Sequence, residues 1–202
     1  MTGDNRGLGP TVSRETLEKL DAFVGLLLHE NQKQNLISPD SVEHLWDRHI
    51  LDGAQLFTLA GRAGRWADIG SGPGLPGMVI AILGGTPMTL IEPRKLRADF
   101  LRRCVSELGM TEVKVADTKV ERLGAKFDII TARAVAKLDR LFEMAGHLAH
   151  DKTKWVLPKG QSVKSELDEA RRTWQGEFRL VPSQTHPDAA IVVAEHVRRR
   201  GK

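Results

Sequence analysis

The sequence of 202 residues has a single cysteine, no tyrosine and no apolar run that approaches the length of a membrane-spanning helix. One cysteine excludes an internal disulfide, and the helical pattern around Cys104 indicates a packing role rather than that of a nucleophile. The chain does not open with a basic and apolar signal segment. We therefore expect a cytoplasmic protein that has no contact with a membrane.

Aromatic residues make up 5% of the chain, and its histidines and its cysteine do not have the spacing of metal ligands. Platforms that hold splayed single-stranded bases need aromatic side chains for stacking. The composition therefore argues against a general single-strand-binding module. We also expect no bound metal ion.

The formal net charge is +4 at pH 7 and the pI is near 9.4. This balance is consistent with a polyanionic partner such as nucleic acid, although many ordinary enzymes share it. Basic residues between Arg94 and Arg103 and the tail from Arg198 to Lys202 are candidates for phosphate contacts. For the tail, a solvated chain end is the favoured interpretation.

The composition divides the chain into three segments. Residues 1–12 hold three glycines and Pro10, which predicts a flexible arm. Residues 13–61 have helical periodicity, with Ser13 and Ser38 placed to cap two helices and Gly53 placed to interrupt the second. Residues 62–202 alternate between strand-like and helix-like stretches. At this length we expect one compact unit overall.

The alternation predicts an α/β fold, in which a mainly parallel, seven-stranded sheet carries helices on both faces. The expected strands are residues 67–69, 88–91, 113–116, 127–131, 154–157, 178–181 and 189–194. The helices expected between them include residues 96–108, 138–149 and 162–174. In such a sheet, ligands bind beyond the carboxyl ends of the strands.

The stretch from Trp66 to Leu83 reads as a strand, a glycine-rich turn and a helix, with Pro76 expected in the first helical turn. Its glycines at positions 72, 74 and 77 satisfy the dinucleotide fingerprint G-x-G-x-x-G. Asp68, with Gly70, Gly72 and Gly74, instead satisfies acid-x-Gly-x-Gly-x-Gly, which resembles the first motif of S-adenosylmethionine-dependent methyltransferases. The second interpretation is favoured because a carboxylate late in a buried strand needs a partner, which a cofactor ammonium and the N–H groups of the turn would supply.

Further candidates follow the other strands. Glu92 ends the second strand, where a carboxylate accepts hydrogen bonds from both hydroxyls of a ribose. Val120 and Glu121 follow the third strand and are placed to frame an adenine. Arg133 and Lys159 follow the fourth and fifth strands, so both cations should face the ligand crevice.

His49 lies with Trp46 on the apolar side of its predicted helix. A half-buried core histidine is the commoner outcome in such a place. A direct role with the substrate is the alternative, because the imidazole changes its charge near neutral pH.

Together these residues resemble one family, the bacterial small-subunit ribosomal RNA guanine-N7 methyltransferases, also called glucose-inhibited division protein B. The resemblance covers about residues 30–160, and its parts are Asn35-Leu36, Arg48-His49-Ile50 with Asp52, the run from Asp68 to Gly77, Phe127-Asp128 leading to Arg133-Ala134, and Lys159-Gly160. Thr131 departs from the family pattern, which more often has serine before the arginine. The resemblance implies a Rossmann-like methyltransferase domain after a helical region, with S-adenosylmethionine against Gly70, Leu75, Val120, Glu121 and Arg133.

The resemblance further implies methylation of guanine N7 in 16S ribosomal RNA, within a small subunit or an assembly intermediate. Guanine N7 carries an exposed lone pair, so methyl transfer needs no general base and depends on positioning. The candidate catalytic residues are Arg133, Lys159 and His49. Either cation is suited to donate to guanine O6 or to bind a flanking phosphate.

Three other functions stay open at this point. A nicotinamide-dependent oxidoreductase would use the same turn, but Asp68 before the first glycine and the lack of a proton-relay residue weigh against it. A non-catalytic protein that binds ribosomal RNA or assists assembly would have no affinity for the cofactor. A methyltransferase that acts on a small molecule or a protein also agrees with the composition.

Overall fold

The computed structural model describes residues 6–8, 12–61 and 64–201. Its helical elements are α1 (Arg14–Gln34), α2 (Pro39–Glu43), a π-helical turn (Trp46–Ile50), α3 (Leu51–Ala60), α4 (Gly77–Gly84), α5 (Lys95–Glu107), a 3-10 turn (Val120–Arg122), α6 (Leu138–Ala145), a second 3-10 turn (Gly146–Leu148) and α7 (Val163–Thr173). The strands are β1 (Trp66–Ile69), β2 (Met88–Ile91), β3 (Val113–Ala116), β4 (Phe127–Ala132), β5 (Ala149–Lys159), β6 (Trp174–Pro182) and β7 (Ala190–Arg199).

The seven strands form one sheet in the order β3-β2-β1-β4-β5-β7-β6. The first five pair in parallel, and β7 pairs antiparallel with β5 and β6. This confirms the mainly parallel sheet. Chain order reverses between β1 and β4, and ligands bind at such a switch point, beyond the carboxyl ends of the strands.

Helices cover both faces of the sheet because the central strands are apolar on both sides. All four residues of β1 are buried. Trp66 packs on the face that carries α1, α3, α4 and α5, and its ring centroid lies 6.4 Å from that of Phe57. Ala67 and Ile69 face the opposite layer, which α6 and α7 form. The glycine-rich turn therefore starts from a strand that is fixed from both sides.

The helices before the sheet begin where the caps predict. The Ser13 hydroxyl accepts from the Thr16 N–H at 3.1 Å and the Ser38 hydroxyl from the Ser41 N–H at 3.2 Å. The prediction for Gly53 was wrong, since it lies inside α3 and is buried. A Cβ at Gly53 would lie 2.6 Å from the Val79 side chain, so the glycine lets α3 approach α4 closely.

Two boundaries differ from the sequence prediction because distant strands set them. The helix expected over residues 138–149 ends at Ala145, and β5 already begins at Ala149. Arg198 and Arg199 belong to β7 and pair with Gln175 and Trp174 of β6. The tail is thus part of the sheet as far as Arg199 rather than a loose chain end.

Part of the predicted flexible arm lies outside the described residues, namely residues 1–5 and 9–11. The Arg6 carbonyl accepts from the Trp46 indole N–H at 3.0 Å, and the Arg6 guanidinium lies 4.6 Å from the centre of that ring. Arg6 also pairs with Asp21 at 2.6 Å. Residue 6 is therefore held against the helical region. Among the described residues no helix is long and apolar enough to cross a membrane.

Candidate active site

The glycine-rich turn connects β1 to α4 and takes a backbone that favours glycine. Gly70, Gly72 and Gly74 have φ values of +66°, +53° and +92°. A Cβ at Gly70 would lie 2.7 Å from a methyl group of Val135, so the β4–α6 loop rests directly on the turn. Pro76 is one residue earlier than predicted and caps α4 instead of lying in its first turn.

The N–H groups of this turn are already hydrogen-bonded within the protein. Gly70 and Ser71 donate to the Ile91 carbonyl at 2.8 and 3.1 Å, Gly74 and Leu75 donate to the Ser71 carbonyl at 2.7 and 3.3 Å, and Gly72 donates to the Glu92 carboxylate at 2.9 Å. A dinucleotide site needs such N–H groups free to face the pyrophosphate. The turn is therefore unsuited to that ligand, which weighs against the oxidoreductase interpretation.

Asp68 occupies the place where a phosphate would meet the helix. Its carboxylate oxygen Oδ2 accepts from the Gly77 N–H at 3.1 Å, at the start of α4. The other oxygen, Oδ1, is buried and has no hydrogen-bond partner among the described residues. Burial raises the pKa of this carboxyl to about 7, against the lowering effects of the nearby Ser71 hydroxyl and of the Gly77 hydrogen bond. A buried acid with one unsatisfied oxygen favours a cationic ligand over an anionic one.

Glu92 ties the end of β2 to the turn. Its two carboxylate oxygens accept from the Gly72 N–H at 2.9 Å and the Arg94 N–H at 2.8 Å, and the residue is buried. A carboxylate offers about four lone-pair sites, so acceptor capacity is left for other donors. Its predicted contact with ribose hydroxyls stays a prediction.

Three adjoining cavities run along the carboxyl ends of the strands. The apolar cavity, of about 260 Å³, is bordered by Ile91, Val120 and Met144. The turn cavity, of about 420 Å³, lies against the glycine-rich turn. The charged cavity, of about 730 Å³, lies beyond Arg133. Val135 borders all three, so they adjoin one another, and this row of cavities is called the channel below.

The channel contains most of the residues that the sequence singled out. The apolar cavity is lined by Val120, Glu121 and Gly70, and Gly70 also lines the turn cavity. The turn cavity is further lined by Gly72, Leu75 and Glu92. Arg133 and His49 line both the turn cavity and the charged cavity, and Lys159 lines the charged cavity. Asp68 and Gly74 lie outside these three cavities. Gly74 instead faces the helices, where a Cβ would come within 2.7 Å of Met78.

Arg133 lies at the passage between the turn cavity and the charged cavity. Its Nη1 atom is 2.6 Å from His49 Nδ1 and 4.0 Å from a carboxylate oxygen of Asp52. Burial lowers the pKa of this guanidinium. The following residue, Ala134, has φ +56°, a conformation that costs a non-glycine residue energy and that here orients the loop beside the passage.

His49 accepts the hydrogen bond from Arg133 because it is neutral. Burial, and after it the charge of Arg133, lowers the pKa of this imidazole to about 4. The ring is therefore uncharged at neutral pH, and its Nδ1 lone pair is free to accept. The residue is 8% exposed, and its Nε2 atom has no hydrogen-bond partner among the described residues. His49 thus holds Arg133 in place.

Lys159 is also fixed by partners. Its Nζ atom donates to the Ala136 carbonyl at 2.6 Å and lies 2.9 Å from Glu166 Oε2. The two side chains are only 11% and 13% exposed. Lys159 is therefore part of a largely buried ion pair in the wall of the charged cavity, rather than a mobile surface cation.

Several residues of the channel were missed by sequence reasoning or were given no role. Asp52 accepts a hydrogen bond from the Thr185 hydroxyl, which joins α3 to the loop between β6 and β7. Glu166 comes from α7, and Val135 comes from the loop after Arg133. Val135 has a sequence signal, since it lies two residues after the predicted arginine, and Asp52 belongs to the motif that carries the family resemblance. Glu166 and Thr185 reach the channel through the fold.

The basic residues of α5 divide into two groups. Lys95, Arg102 and Arg103 are in ion pairs within the protein, with Asp99 the partner of the first two. Arg94 and Arg97 border the turn cavity instead. Among the described residues no cluster of three metal-ligating side chains occurs.

The sheet order, the glycine-rich turn and the channel define an S-adenosylmethionine-dependent methyltransferase. Solved structures agree in fold. A glycopeptide N-methyltransferase complexed with sinefungin superposes with a TM-score of 0.64 at 12% identity, over 73% of this chain and 93% of that one. An Aquifex aeolicus S-adenosylmethionine-dependent methyltransferase gives a TM-score of 0.62 at 14% identity, over 81% of this chain and 96% of that one.

Sequence comparison identifies the family. The profile of the GidB family, described as rRNA small subunit methyltransferase G, matches residues 16–187. A ribosomal RNA small subunit methyltransferase G from Rhizorhabdus wittichii is 48% identical over 95% of this chain and 90% of its own length. One of the same name from Zymomonas mobilis is 45% identical over 92% and 88%. This chain belongs to the rRNA small subunit methyltransferase G family, which confirms the resemblance found in the sequence.

Proposed function

We propose that this protein methylates N7 of a guanine in 16S ribosomal RNA, with S-adenosylmethionine as the methyl donor. The main support is that the turn cavity and the charged cavity adjoin each other, with Arg133 and Val135 in the walls of both. The relatives named as ribosomal RNA small subunit methyltransferases support the choice of RNA. A target base in the charged cavity would thus meet the methyl donor at the passage.

Different parts of the channel wall suit different parts of S-adenosylmethionine. Val120 and its apolar neighbours suit the adenine, and Glu92 at the end of β2 suits the ribose. The turn has its N–H groups engaged and the Asp68 carboxyl beneath it, outside the cavity, so it suits the ammonium group and the positively charged sulfur better than an anion. When bound, S-adenosylmethionine supplies a methyl group activated by a positively charged sulfur.

The residues at the passage agree with a transfer that needs no general base. Guanine N7 has a lone pair and no proton to remove. His49 is neutral, but its Nδ1 lone pair is engaged by Arg133, so it is not poised to accept a proton. Asp52 is held by Thr185. The protein therefore contributes by holding the base in line and by excluding water.

The RNA must present its guanine outside a regular helix. In A-form RNA the major groove, where N7 lies, is too deep and narrow for a side chain to read. A loop within a small subunit or an assembly intermediate is the substrate we propose, with Arg94 and Arg97 placed to bind phosphates near the turn cavity. Such an enzyme would work in the cytoplasm, where ribosomes assemble.

The test replaces Arg133 and Lys159 with alanine, one at a time. Methyl transfer to small subunits is measured separately from the affinity for S-adenosylmethionine. We expect each variant to lose about 100-fold in transfer, as enzymes do when a positioned donor is removed. The control is Arg140→Ala on α6, whose side chain is 64% exposed. Unchanged transfer in both variants would refute the assignment, and no affinity for S-adenosylmethionine in the wild type would favour a non-catalytic RNA-binding protein.

A further inference from the structure

The Lys159–Glu166 pair lies in the wall of the charged cavity. Residues that border both the turn cavity and the charged cavity are Ser41, His49, Arg133, Ala134 and Val135. Lys159 and Glu166 border the charged cavity but not the turn cavity, and Lys159 also borders a small cavity of about 50 Å³. A base in the charged cavity would therefore meet this pair on a wall that the turn cavity does not share.

The two side chains keep hydrogen-bonding capacity that the protein does not use. Lys159 Nζ carries three N–H donors, of which one is given to the Ala136 carbonyl. Glu166 Oε2 lies 2.9 Å from this Nζ atom, but it is buried and accepts no hydrogen bond from the described residues. Glu166 Oε1 accepts from the Ser162 hydroxyl at 3.0 Å. A carboxylate has about four acceptor sites, so roughly three stay unused. The wall thus has unused donors next to unused acceptors.

This order of groups matches the edge of guanine that carries O6, N1 and N2. Guanine offers there an acceptor, O6, followed by two donors, the N1 and N2 hydrogens. Adenine offers a donor followed by an acceptor at the corresponding positions, so its pattern is reversed. Because N2 is at the far end of the purine from N7, a guanine whose N7 faces the passage turns N1 and N2 away from the turn cavity, toward walls that border the charged cavity alone of these two, as Lys159 and Glu166 do.

Asp52, the other carboxylate of the charged cavity, is less suited to this task. It accepts from the Thr185 hydroxyl, and its carboxylate lies 4.0 Å from Arg133 Nη1. Its charge thus faces the guanidinium. Glu166 lies instead beside Lys159, with Oε2 2.9 Å from the Nζ atom.

We propose that Glu166 selects guanine by accepting hydrogen bonds from N1–H and N2–H, while Lys159 donates to O6. The proposal rests on the function proposed above. Ser162 orients the carboxylate, and Lys159 offsets the cost of keeping its charge buried. Glu166 therefore determines which base is accepted, and it acts on the base directly.

The test combines a protein variant with a base analogue. Small subunits are reconstituted with guanosine or inosine at the target position, since inosine lacks only the 2-amino group. The wild-type chain should methylate guanosine roughly tenfold faster than inosine, because the charged acceptor loses a donor. Glu166→Gln should lower the rate on guanosine about tenfold and reduce the preference to within about twofold. Asp168→Asn, an exposed change on the same helix, should keep the wild-type preference.

The outcomes separate this proposal from the function on which it rests. If the wild type forms 7-methylguanosine but treats inosine equally, Glu166 does not read N2 and the proposal is wrong while the function stands. A Glu166→Gln variant that keeps the full preference would overturn it as well. If the wild type forms no 7-methylguanosine, both the proposed function and the proposed role of Glu166 are wrong. Affinity for S-adenosylmethionine should be the same in all three proteins, which shows that Glu166→Gln is folded.

Discussion

The turn cavity and the charged cavity differ in what forms their walls. The turn cavity has a backbone turn in its wall, with Gly70 and Gly72 at positive φ and their N–H groups bonded internally. The charged cavity has paired side chains in its wall, such as Lys159 with Glu166 and Arg133 with His49. Each is assembled from four parts of the chain, but in the turn cavity one of these parts is a glycine-rich run that the sequence identifies by itself.

The two cavities would have different tasks, since one binds a methyl donor that is always the same and the other selects one base in the RNA. A backbone turn has few ways to change without losing its conformation, so it suits a donor that does not vary. Buried ion pairs contribute little net stability, but they place donors and acceptors accurately. The charged cavity is therefore the part that can distinguish one base from another. Variants of each part should fail in different measurements.

The largest effect is expected from Gly70→Ala, which changes the turn cavity. The added Cβ would lie 2.7 Å from Val135 at a φ of +66°, so both strain and overlap oppose it. Affinity for S-adenosylmethionine, measured by calorimetry, should fall roughly 100-fold. Gly85→Ala is the matched control, since Gly85 has φ +56° and open space around it. Equal affinity in both variants would show that the turn does not bind the cofactor.

Asp52→Asn tests the charged cavity at Arg133. It removes the charge that faces the buried guanidinium at 4.0 Å and weakens the bond to Thr185. Methyl transfer should fall roughly tenfold, while affinity for S-adenosylmethionine changes less than about twofold. Asp47→Asn, an exposed change nearby, should leave both unchanged. If only the affinity for S-adenosylmethionine fell, Asp52 would act on the turn cavity and not on the charged cavity.

Asp68→Asn tests the acid beneath the turn through stability. Because the folded pKa is raised from 3.8 to about 7, the carboxyl keeps its proton in the folded state after it has lost it in the unfolded chain. Wild-type stability should therefore fall, relative to the variant, by about 2 to 3 kcal/mol between pH 5 and pH 8.

Urea unfolding of both proteins at the two pH values measures this difference. His49 has a lowered pKa of about 4, so its contribution to stability changes in the opposite direction, rising as pH increases from 4 to 6.5. It is present in both proteins and cancels in the comparison. Stability curves that run parallel would mean that Asp68 is ionised throughout.

The smallest effect concerns the rim of the turn cavity. Arg94→Ala and Arg97→Ala should each reduce the slope of the logarithm of RNA affinity against the logarithm of salt concentration by about one. Arg102→Ala should not, because Arg102 already pairs with Asp99 and Asp117 at 2.9 and 2.7 Å. Filter binding to small subunits over a series of salt concentrations gives the three slopes. Equal slopes in the three variants would show that Arg94 and Arg97 do not contact the RNA.

The sequence predicted the turn cavity well because its signal is local. The strand, glycines and helix from Trp66 onward follow one another, and each residue type has one conformational explanation. Glu92, Val120 and Arg133 were predicted to lie together because each follows a strand, and parallel strands end at the same edge of the sheet. What the sequence did not show is that Asp68 turns away from the channel toward the Gly77 N–H.

The charged cavity was predicted only in part because its residues meet through tertiary contacts. Glu166 reads as an ordinary polar residue of α7, and Thr185 reads as part of a loop, until the fold brings them to Lys159 and Asp52. The prediction that Gly53 interrupts a helix was wrong for the same reason. A glycine is required there because Val79 of another helix packs against it. Such contacts leave no periodic pattern in the chain.

Transfer of a labelled methyl group to RNA is the direct test of the proposed function. Small subunits that lack the modification are incubated with the purified protein and radiolabelled S-adenosylmethionine, and the RNA is digested and separated by chromatography. The label should appear in 7-methylguanosine at a single position. Label in a different nucleoside, or in a ribosomal protein, would contradict the proposed function.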